Sequence, residues 1–371
     1  MSLKVRSGGS WGRLGMKFDV LRFDEVSINF DKKRIPLSTM ERSKRKGTYR
    51  YYGAQGVIDY IDDYIFDGEY LLIAEDGENL KSKKQNIAQL VKGQFWVNNH
   101  AHIIQTNERC DLRFLNYLIN SMDLSGYITG SAQPKLSQAN LNALELNIPE
   151  RGIQDKIVSI IGSLDDKIAI NERINENLLQ QATILFHMLF DKYDTISSCI
   201  VSLSELARFK YGTMPKKDKI GTGYYLAFSG YQVIGTYPEK MFDDPQLVIV
   251  ARGVGGCGDI KYTPENCFLT NLSIAILASN SAVDDYLFHY LRLHDTKIMN
   301  TGSAQPQITI STLEKYLLPF PSEDDLVKFS NMIQPMKEMY RKLSNESRLL
   351  SSLRDALLPK LMSGELDVSN L

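Results

Sequence analysis

The sequence predicts an α+β fold with a pseudo-two-fold internal repeat, in which two similar α/β domains are separated by two long helices packed as an antiparallel coiled coil. The first supporting observation is a repeat, because the string Gly-Ser-Ala-Gln-Pro occupies residues 130–134 and again residues 302–306. The second is a pair of long segments, nearly free of Gly and Pro, whose apolar residues recur with a helical period. The third is the mixture of short β-rich runs and turn residues elsewhere.

The repeat extends beyond the shared pentapeptide. In both copies an Asp-led helical segment precedes it, at residues 111–118 and 284–291, and the segment after it ends in Pro149 or Pro321. This matching order over two long stretches indicates duplication of one structural unit. The predicted boundaries are residues 1–149 for the first domain, 150–193 for the first helix, 194–321 for the second domain, and 322–371 for the second helix with the C-terminal tail.

The two long segments predict helices that pair with each other. About 44 residues at a rise of ~1.5 Å each give a helix of roughly 65 Å, which would leave its apolar seam exposed if it stood alone. The seam is narrow, as in a coiled coil, and an antiparallel pair is the simplest arrangement for two helices joined through a domain. The alternative is a pair of long core helices within a single domain.

Composition excludes several classes of protein. The chain of 371 residues is 43% hydrophobic and 23% charged, with a formal net charge of −1, which is typical of a globular protein. No apolar stretch approaches the ~18 residues of a membrane span, and the first twenty residues lack the apolar core of a signal peptide. Four widely spaced cysteines without a CxxC pair predict reduced thiols in the cytoplasm, with neither disulfides nor a zinc cluster.

Positive charge is concentrated in the first domain. Residues 1–149 contain 20 Lys and Arg against 17 Asp and Glu, a net charge of +3, whereas the other regions are neutral or acidic. Residues 42–52 place five cations among tyrosines, and further lysines surround the turn at residues 212–215. Clustered cations of this kind are typical of contacts with nucleic-acid phosphates. The alternative for any single lysine is a solvated loop.

Three weaker motifs point to other chemistry. His100-Ala101-His102 places two imidazoles at alternate positions, but no other His or Cys lies nearby to complete a zinc shell, so we interpret it as structural. The Gly-rich run at residues 253–258 is followed by an extended segment, whereas a dinucleotide-binding loop must open a helix. No GxxxxGK[ST] string occurs, so the sequence predicts no ATP-binding loop of that type.

Together these strings resemble the specificity subunit of type I restriction–modification systems. The resemblance rests on the paired Gly-Ser-Ala-Gln-Pro strings, each leading into a long helix, and on residues 357–366 near the C terminus. Strings typical of target recognition domains in that family lie at residues 51–56, 66–77 and 212–215. The resemblance implies a non-catalytic subunit whose two target recognition domains each read one half of a split, asymmetric DNA site. It also implies helices that hold the domains apart and bind two methyltransferase subunits.

Candidate contact residues follow from this resemblance and from the basic runs. The candidate DNA contacts are Arg42, Lys44, Arg45, Lys46, Arg50, Tyr51, Tyr52, Lys81, Lys83, Lys84, Lys216, Lys217, Lys219 and Arg252. The candidate partner contacts are Leu178, Leu185, Leu189, Leu350, Leu357 and Leu361. Gln133 and Gln305 in the paired strings either contact DNA or form a structural junction.

The expected partners are double-stranded DNA, two methyltransferase subunits and restriction subunits, with no membrane contact. We expect no catalytic residue, metal ligand or cofactor in this chain. The resemblance implies that S-adenosylmethionine, ATP and Mg²⁺ act in the partner subunits.

Two other functions compete with this one. The first is a nuclease, although no lysine accompanies its acidic residues as in a carboxylate-plus-lysine site. Its candidate carboxylates are Asp67, Glu69, Glu75 and Asp76. The second is a coiled-coil scaffold that binds only protein. A scaffold predicts no salt-sensitive DNA affinity, and no loss of function when Arg45 and Lys46 are replaced by glutamate.

Overall fold

The computed structural model describes residues 16–83, 85–130, 133–193, 199–253, 256–302 and 306–369. The strands of the first domain are β1 (Phe18–Arg22), β2 (Ser27–Asn29), β3 (Lys46–Gly53), β4 (Gly56–Ile61), β5 (Phe66–Ala74), β6 (Ala88–Val97), β7 (Ala101–Thr106) and β8 (Glu145–Pro149). Its helices are α1 (Phe23–Val26), α2 (Thr39–Lys44), α3 (Asn79–Ser82), α4 (Leu112–Ser121) and α5 (Gln138–Asn142). The long helix α6 (Arg151–Phe190) follows.

Six strands of the first domain form one mixed sheet in the order β2-β7-β5-β6-β3-β4. β5 lies between β7 and β6 and pairs antiparallel with both. Its residues 70–74 are buried, which explains the continuous apolar run, because a central strand covered on both faces lacks polar alternation. β3 joins the sheet parallel to β6, with Tyr51 opposite Trp96, and therefore places the basic run beside the edge strand β4.

The strands of the second domain are β9 (Ile200–Ser202), β10 (Ala207–Tyr211), β11 (Tyr225–Phe228), β12 (Val233–Tyr237), β13 (Leu247–Val250), β14 (Ile260–Tyr262), β15 (Cys267–Leu269), β16 (Ser273–Ala278) and β17 (Leu317–Pro319). Its helices are α7 (Leu203–Leu206), α8 (Ser281–Leu293) and α9 (Ile310–Glu314), and the second long helix is α10 (Glu323–Met362).

The two domains share one topology. The order β10-β16-β13-β14 repeats β2-β7-β5-β6, and β12-β11-β15 repeats β4-β3-β6, with β6 replaced by the shorter strands β14 and β15. β3 and β11 each pair antiparallel with the next strand and parallel with a later one. A two-stranded sheet, β1–β8 or β9–β17, precedes each long helix. The predicted internal repeat is therefore confirmed.

The chain divides into two compact units, one comprising Met1–Asn171 with Asn345–Leu371 and the other comprising Glu172–Ser344. Each long helix spans 40 residues and contributes a segment to both units. In the first unit Asp165 binds Arg354 at 3.0 Å, and Asn171 donates to Glu346 at 2.8 Å. Rising residue numbers on α6 thus meet falling numbers on α10.

The second unit repeats this antiparallel pairing with its own segments of the two helices. Asn175 donates to Ser344 at 3.1 Å, and Phe186 packs edge-on against Phe329 with ring centroids 5.7 Å apart. The predicted antiparallel packing of α6 and α10 is confirmed within each unit.

A buried carboxylate connects α8 to α10 in the second unit. Asp285 is 1% exposed and accepts hydrogen bonds from Ser330 at 2.7 Å and from Lys337. The adjacent Asp284 accepts from the Tyr262 hydroxyl at 2.6 Å. Burial raises the pKa of Asp284 to about 6, although the hydrogen bond from Tyr262 and the charge of Lys337 oppose the shift.

We expect Asp284→Asn to stabilise the second unit above pH 6. Because the folded-state pKa lies above the ordinary value near 4, the folded protein holds a proton that the unfolded chain has released, so stability falls as pH rises from about 4 to 6. Removing this charge should raise the free energy of unfolding by about 2 kcal/mol at pH 8 and leave it unchanged below pH 4. Urea unfolding at both pH values measures the difference.

The neighbouring substitution Asp285→Asn is the matched control. It removes the ion pair with Lys337 and should destabilise the same unit at pH 8 by about 1–3 kcal/mol. An effect of Asp284→Asn that is independent of pH would contradict the raised pKa.

The helices and the cysteines agree with the composition. Within the described ranges, none of the helices combines the length and apolar character needed to cross a membrane. The cysteines are free thiols, with Cys110, Cys257 and Cys267 buried and Cys199 exposed. Burial raises the pKa of Cys110 to about 12, so this thiol remains protonated.

Candidate nucleic-acid interface

The basic run of the first domain folds into α2 and the start of β3. The Ser38 hydroxyl accepts from the N–H of Glu41 at 3.2 Å, and the Glu41 carboxylate accepts from the N–H of Ser38 at 2.7 Å. This capping box fixes the first turn of α2. The Tyr51 hydroxyl accepts from the N–H of Leu37 at 2.8 Å, which attaches the preceding segment to the sheet.

Acidic side chains on and after β4 neutralise much of this basic run. Asp59 lies 3.2 Å from Arg42 and 2.6 Å from Lys46, and Arg45 pairs with Asp62 at 2.8 Å. The hydrogen bond from Lys46 lowers the pKa of Asp59, which keeps this carboxylate ionised. Much of the charge that indicated DNA contact is therefore used within the domain.

Two candidate DNA contacts in this run are buried, and a third, Arg42, packs over one of them. Tyr51 and Tyr52 are 0% and 4% exposed, because their strand is covered by neighbouring core residues. The Arg42 guanidinium lies over the Tyr51 ring and donates to the carbonyl of Leu37 at 2.7 Å. The prediction that the two buried tyrosines contact DNA is wrong. It stays a prediction for Arg42, Lys44, Arg45, Lys46 and Arg50.

The second lysine run lies beside the first Gly-Ser-Ala-Gln-Pro loop. Lys81 Nζ donates to the carbonyl of Gly130 at 3.1 Å, and Lys83 Nζ donates to the carbonyl of Met122 at 3.0 Å. Lys84 lies outside the described residues. These contacts give Lys81 and Lys83 a role in supporting loops, and their contact with DNA stays a prediction.

In both copies backbone hydrogen bonds join the residues on either side of the pentapeptide. In the first copy Thr129 and Lys135 exchange backbone hydrogen bonds of 2.9 and 2.8 Å. In the second copy the N–H of Thr301 donates to the carbonyl of Gln307 at 2.9 Å. Corresponding backbone contacts therefore flank the duplicated string in each domain.

Glycine at the start of the first loop has a geometric reason. Gly130 has a φ of 84°, and a Cβ there would lie 2.3 Å from the carbonyl oxygen of Gln133. The Gln133 side chain is exposed, whereas Gln305 lies outside the described residues. A DNA contact by either glutamine stays a prediction.

A buried ion network holds the first loop against the sheet. His102 on β7 places Nδ1 2.6 Å from Asp31 and Nε2 2.8 Å from the carbonyl oxygen of Leu136. Arg34 binds Glu75 at 2.7 Å on the same side of the sheet. The loop residue Leu136 is thereby attached to β7 through an imidazole.

The network keeps both of its carboxylates ionised. Burial raises the pKa of Asp31, but the hydrogen bond and charge of His102, with the charge of Arg34, outweigh burial and lower it. Burial likewise opposes the shift at Glu75, whose pKa is lowered by Arg34, His102 and Lys135. The Lys135 ammonium lies 3.2 Å from the Glu75 carboxylate.

The same network brings together three side chains that can ligate metals. The ligand atoms of Asp31, Glu75 and His102 lie within 4.8 Å of one another. Both ring nitrogens of His102 face oxygen acceptors, and Arg34 and Lys135 already supply positive charge. The donor set is satisfied within the chain, which agrees with the structural interpretation of His102.

Three of the four carboxylates considered for a nuclease, all except Glu69, are engaged with other side chains. Glu75 belongs to the ion network, Asp76 lies 2.7 Å from Nδ1 of His100, and Asp67 accepts from Gln94 at 3.1 Å. This arrangement gives the nuclease alternative no support.

The second domain presents its lysines with fewer acidic neighbours. Lys216 and Lys217 are exposed and have no ion-pair partner in the part of the chain that is described, whereas Lys219 pairs with Glu239 at 2.7 Å. Arg252 is also exposed. All four cations stay candidate DNA contacts, and the first two carry uncompensated charge.

The Gly-rich run lies in a hairpin. β13 and β14 pair antiparallel, with Ile249 opposite Ile260, so the run between them connects two strands and does not open a helix. Val254 and Gly255 lie outside the described residues. The connection agrees with the interpretation of this segment as a turn.

Several leucines suggested for partner binding pack inside their own units. Leu361 is 0% exposed because the last turn of α10 packs into the core of the first unit, so its predicted partner contact is wrong. Leu357 packs against the same core, and Leu185 and Leu189 pack against the core of the second unit.

Other apolar side chains on the long helices are more exposed. Leu178 and Leu350 are half-buried, and partner contact by the leucines other than Leu361 stays a prediction. The most exposed apolar side chains of α6 and α10 include Ile184, Met188, Leu349 and Leu353, at 60, 75, 67 and 48%.

Sequence reasoning missed two kinds of residue at this interface. Asp59 and Asp62 neutralise cations on a neighbouring strand, and the acidic composition of residues 59–63 is the signal that could have revealed them. Met40 and Met214 are 70% and 69% exposed, and each precedes a Gly-Thr pair at the same spacing.

Comparison with known proteins agrees with the duplicated architecture. The family model for the type I restriction modification DNA specificity domain matches the chain twice, over residues 17–180 and 199–343. The two matches cover most of the sequence, and each contains one globular domain and helical residues that follow it.

Individual relatives extend over the same length. A Haemophilus influenzae protein assigned as a type I restriction enzyme specificity subunit is 25% identical over 349 residues, covering 86% of this chain and 84% of the relative. The MjaIX specificity subunit of a type I restriction enzyme from Methanocaldococcus jannaschii is 22% identical over 307 residues, covering 70% of each chain. The crystal structure of a type I restriction–modification S subunit from M. genitalium covers 94% of this chain and 97% of that one, with a TM-score of 0.60 and 17% identity, and has the same fold.

Proposed function

The chain belongs to the family of type I restriction modification DNA specificity domains and acts in DNA sequence recognition, and from this premise we propose that each of its domains reads one half of a bipartite site. The observation that carries the proposal is the shared topology of the two domains combined with different loop residues. Equivalent scaffolds with unlike side chains are suited to read unlike base sequences, because base edges are distinguished by individual side chains. The two half-sites should therefore differ.

The long helices are proposed to set the gap between the half-sites and to bind two methyltransferase subunits. A helix of 40 residues is ~60 Å long, which corresponds to roughly two turns of duplex DNA. Exposed apolar side chains such as Ile184, Met188 and Leu349 give these helices surface that a protein partner can bury.

Chemistry is proposed to reside in the partner subunits. The methyltransferase subunits would use S-adenosylmethionine, and restriction subunits would use ATP and Mg²⁺. This division is supported by the engagement of Glu75, Asp76 and Asp67 with other side chains of the domain. The cytoplasm is the proposed compartment.

Methylation mapping tests the proposal. The full chain, reconstituted with its methyltransferase subunits, should direct adenine methylation to one bipartite sequence, and base changes in either half should abolish methylation of that site. Methylation without a common bipartite sequence would contradict the proposal.

Two control reactions address the alternatives. Mg²⁺-dependent cleavage by the chain alone would favour a nuclease. Absence of salt-sensitive DNA affinity in both the chain and the complex would favour a protein-binding scaffold.

A further inference from the structure

Each domain carries an exposed methionine in the connection between two corresponding strands, Met40 between β2 and β3 and Met214 between β10 and β11. Thr39-Met40 precedes Gly47-Thr48 by the same six-residue interval that separates Thr213-Met214 from Gly221-Thr222. The first pattern runs into β3 and the second directly precedes β11, and these two strands hold the same place in their sheets. Met214 lies just after β10 and Met40 lies in α2, so the two positions differ, but in both domains this connection presents an apolar side chain that the core does not use.

The backbone beneath Met40 is fixed. Met40 lies in the first turn of α2, which the reciprocal hydrogen bonds of Ser38 and Glu41 hold in place. The buried Tyr51 hydroxyl accepts from the N–H of Leu37 and so joins the approach to this turn to the sheet. The methionine is 70% exposed on a support that needs little reorganisation on binding.

Met214 has an equally firm support built from different contacts. The N–H groups of Gly212 and Thr213 donate to the carbonyls of Ser273 and Leu269 at 3.0 and 2.9 Å. A Cβ on Gly212 would lie 2.0 Å from the carbonyl oxygen of Thr270, so only glycine permits this approach. The two domains therefore expose a methionine on a fixed backbone through different local contacts.

Charge beside each methionine indicates what covers it. Lys44 near Met40, and Lys216 and Lys217 near Met214, are exposed and lack ion-pair partners within the described ranges. Unpaired lysines attract a polyanion, whereas an apolar side chain needs an apolar contact. Duplex DNA offers both, because the thymine 5-methyl group lies in the major groove between phosphate backbones.

We propose that Met40 and Met214 each contact the 5-methyl group of a thymine in the half-site read by their own domain. The inference rests on the proposed function and deepens it by naming a base and the side chain that reads it. It requires one methyl-sensitive thymine in each half of the recognition sequence.

Deoxyuridine scanning tests this assignment, because uracil differs from thymine only by the missing 5-methyl group. Each thymine of the mapped site is replaced in turn, and the rate of methylation by the reconstituted complex is measured. The wild-type complex should slow by about fourfold at one thymine in each half-site, as expected for loss of one buried methyl group. Met40→Ala should remove that sensitivity in one half-site only, and Met214→Ala should remove it in the other.

Matched substitutions separate this contact from general damage. Met40→Leu and Met214→Leu keep an apolar side chain. They should retain most of the ratio between the methylation rates with thymine and with uracil at the sensitive position. Met188→Ala changes an equally exposed methionine on α6 and should leave the ratio unchanged in both half-sites.

Several results would overturn the inference. One is a half-site without a uracil-sensitive thymine, and another is undiminished sensitivity in both alanine variants. If the alanine variants lost methyltransferase binding but kept the ratio of methylation rates with thymine and with uracil, the methionines would be assigned to a protein contact. Failure of the wild-type complex to methylate any bipartite site would instead defeat the proposed function itself.

Discussion

Replacing Asp31 with alanine is expected to destabilise the first unit by about 3–5 kcal/mol. The substitution leaves His102, whose side chain is 1% exposed, without its carboxylate partner. It also removes the acceptor of the Ile103 N–H, which donates to Asp31 at 2.8 Å. Buried polar groups that lose their hydrogen-bond partner cost far more than the same change at the surface. Urea unfolding at pH 7 measures the loss.

The exposed carboxylate of Asp63 provides a matched control. It lies 3.7 Å from Arg45 and its side chain is 61% exposed, so Asp63→Ala should change the free energy of unfolding by no more than about 1 kcal/mol. Equal losses in the two variants would show that burial of the Asp31–His102 pair contributes nothing special.

Acid should reduce the difference in unfolding free energy between wild type and Asp31→Ala. The folded-state pKa of Asp31 lies below the ordinary value, so its contribution is complete above about pH 4 and is lost as pH falls towards the lowered value. The difference between the two unfolding free energies should narrow over that range, and the part that remains reflects the lost acceptor of the Ile103 N–H. A difference that does not change with pH would contradict the ionic contribution.

The architecture was predictable because its signals are regular and repeated. α6 begins at Arg151 and α10 at Glu323, each one residue after the predicted start of its segment at 150 or 322. The agreement is close because a helical period over many residues averages out local exceptions. The pentapeptide aligned the two domains before any strand pairing was known. Strand order within the sheets was beyond reach, because β3 lies parallel to β6 through contacts distant in sequence.

The candidate interface was predictable only in outline. Cations alternating with tyrosines in residues 42–52 did not reveal that Tyr51 faces the core or that Arg42 covers it. Asp31 and His102 are separated by 71 positions in sequence and follow no local period, so neither segment contains a sequence signal that predicts their pairing. Side-chain direction and long-range ion pairs depend on tertiary packing, which a charge count does not contain.

Because many cations of the basic run are paired with carboxylates, not every lysine is a useful test of DNA binding. Replacing Arg45 and Lys46 by glutamate would place new carboxylates beside Asp62 and Asp59. The repulsion would disturb the β3–β4 hairpin whether or not residues 42–52 contact DNA. A loss of function there would not separate a DNA-reading subunit from a scaffold. The informative positions are cations that no carboxylate of their own domain neutralises.

Lys216→Glu with Lys217→Glu is therefore expected to lower the affinity of the assembled complex for DNA by about a hundredfold at 0.1 M salt. The slope of log affinity against log salt should weaken by about two, because two phosphate contacts are lost. Stability should change little, since neither lysine has an ion-pair partner among the described residues. Fluorescence anisotropy over a salt series measures both quantities. The control is Lys240→Glu, which reverses a lysine of the same domain that pairs with Asp243 and is not a candidate DNA contact, and which should leave the slope unchanged. An unchanged slope in the double variant would remove the second domain's lysines from the DNA surface and favour the scaffold.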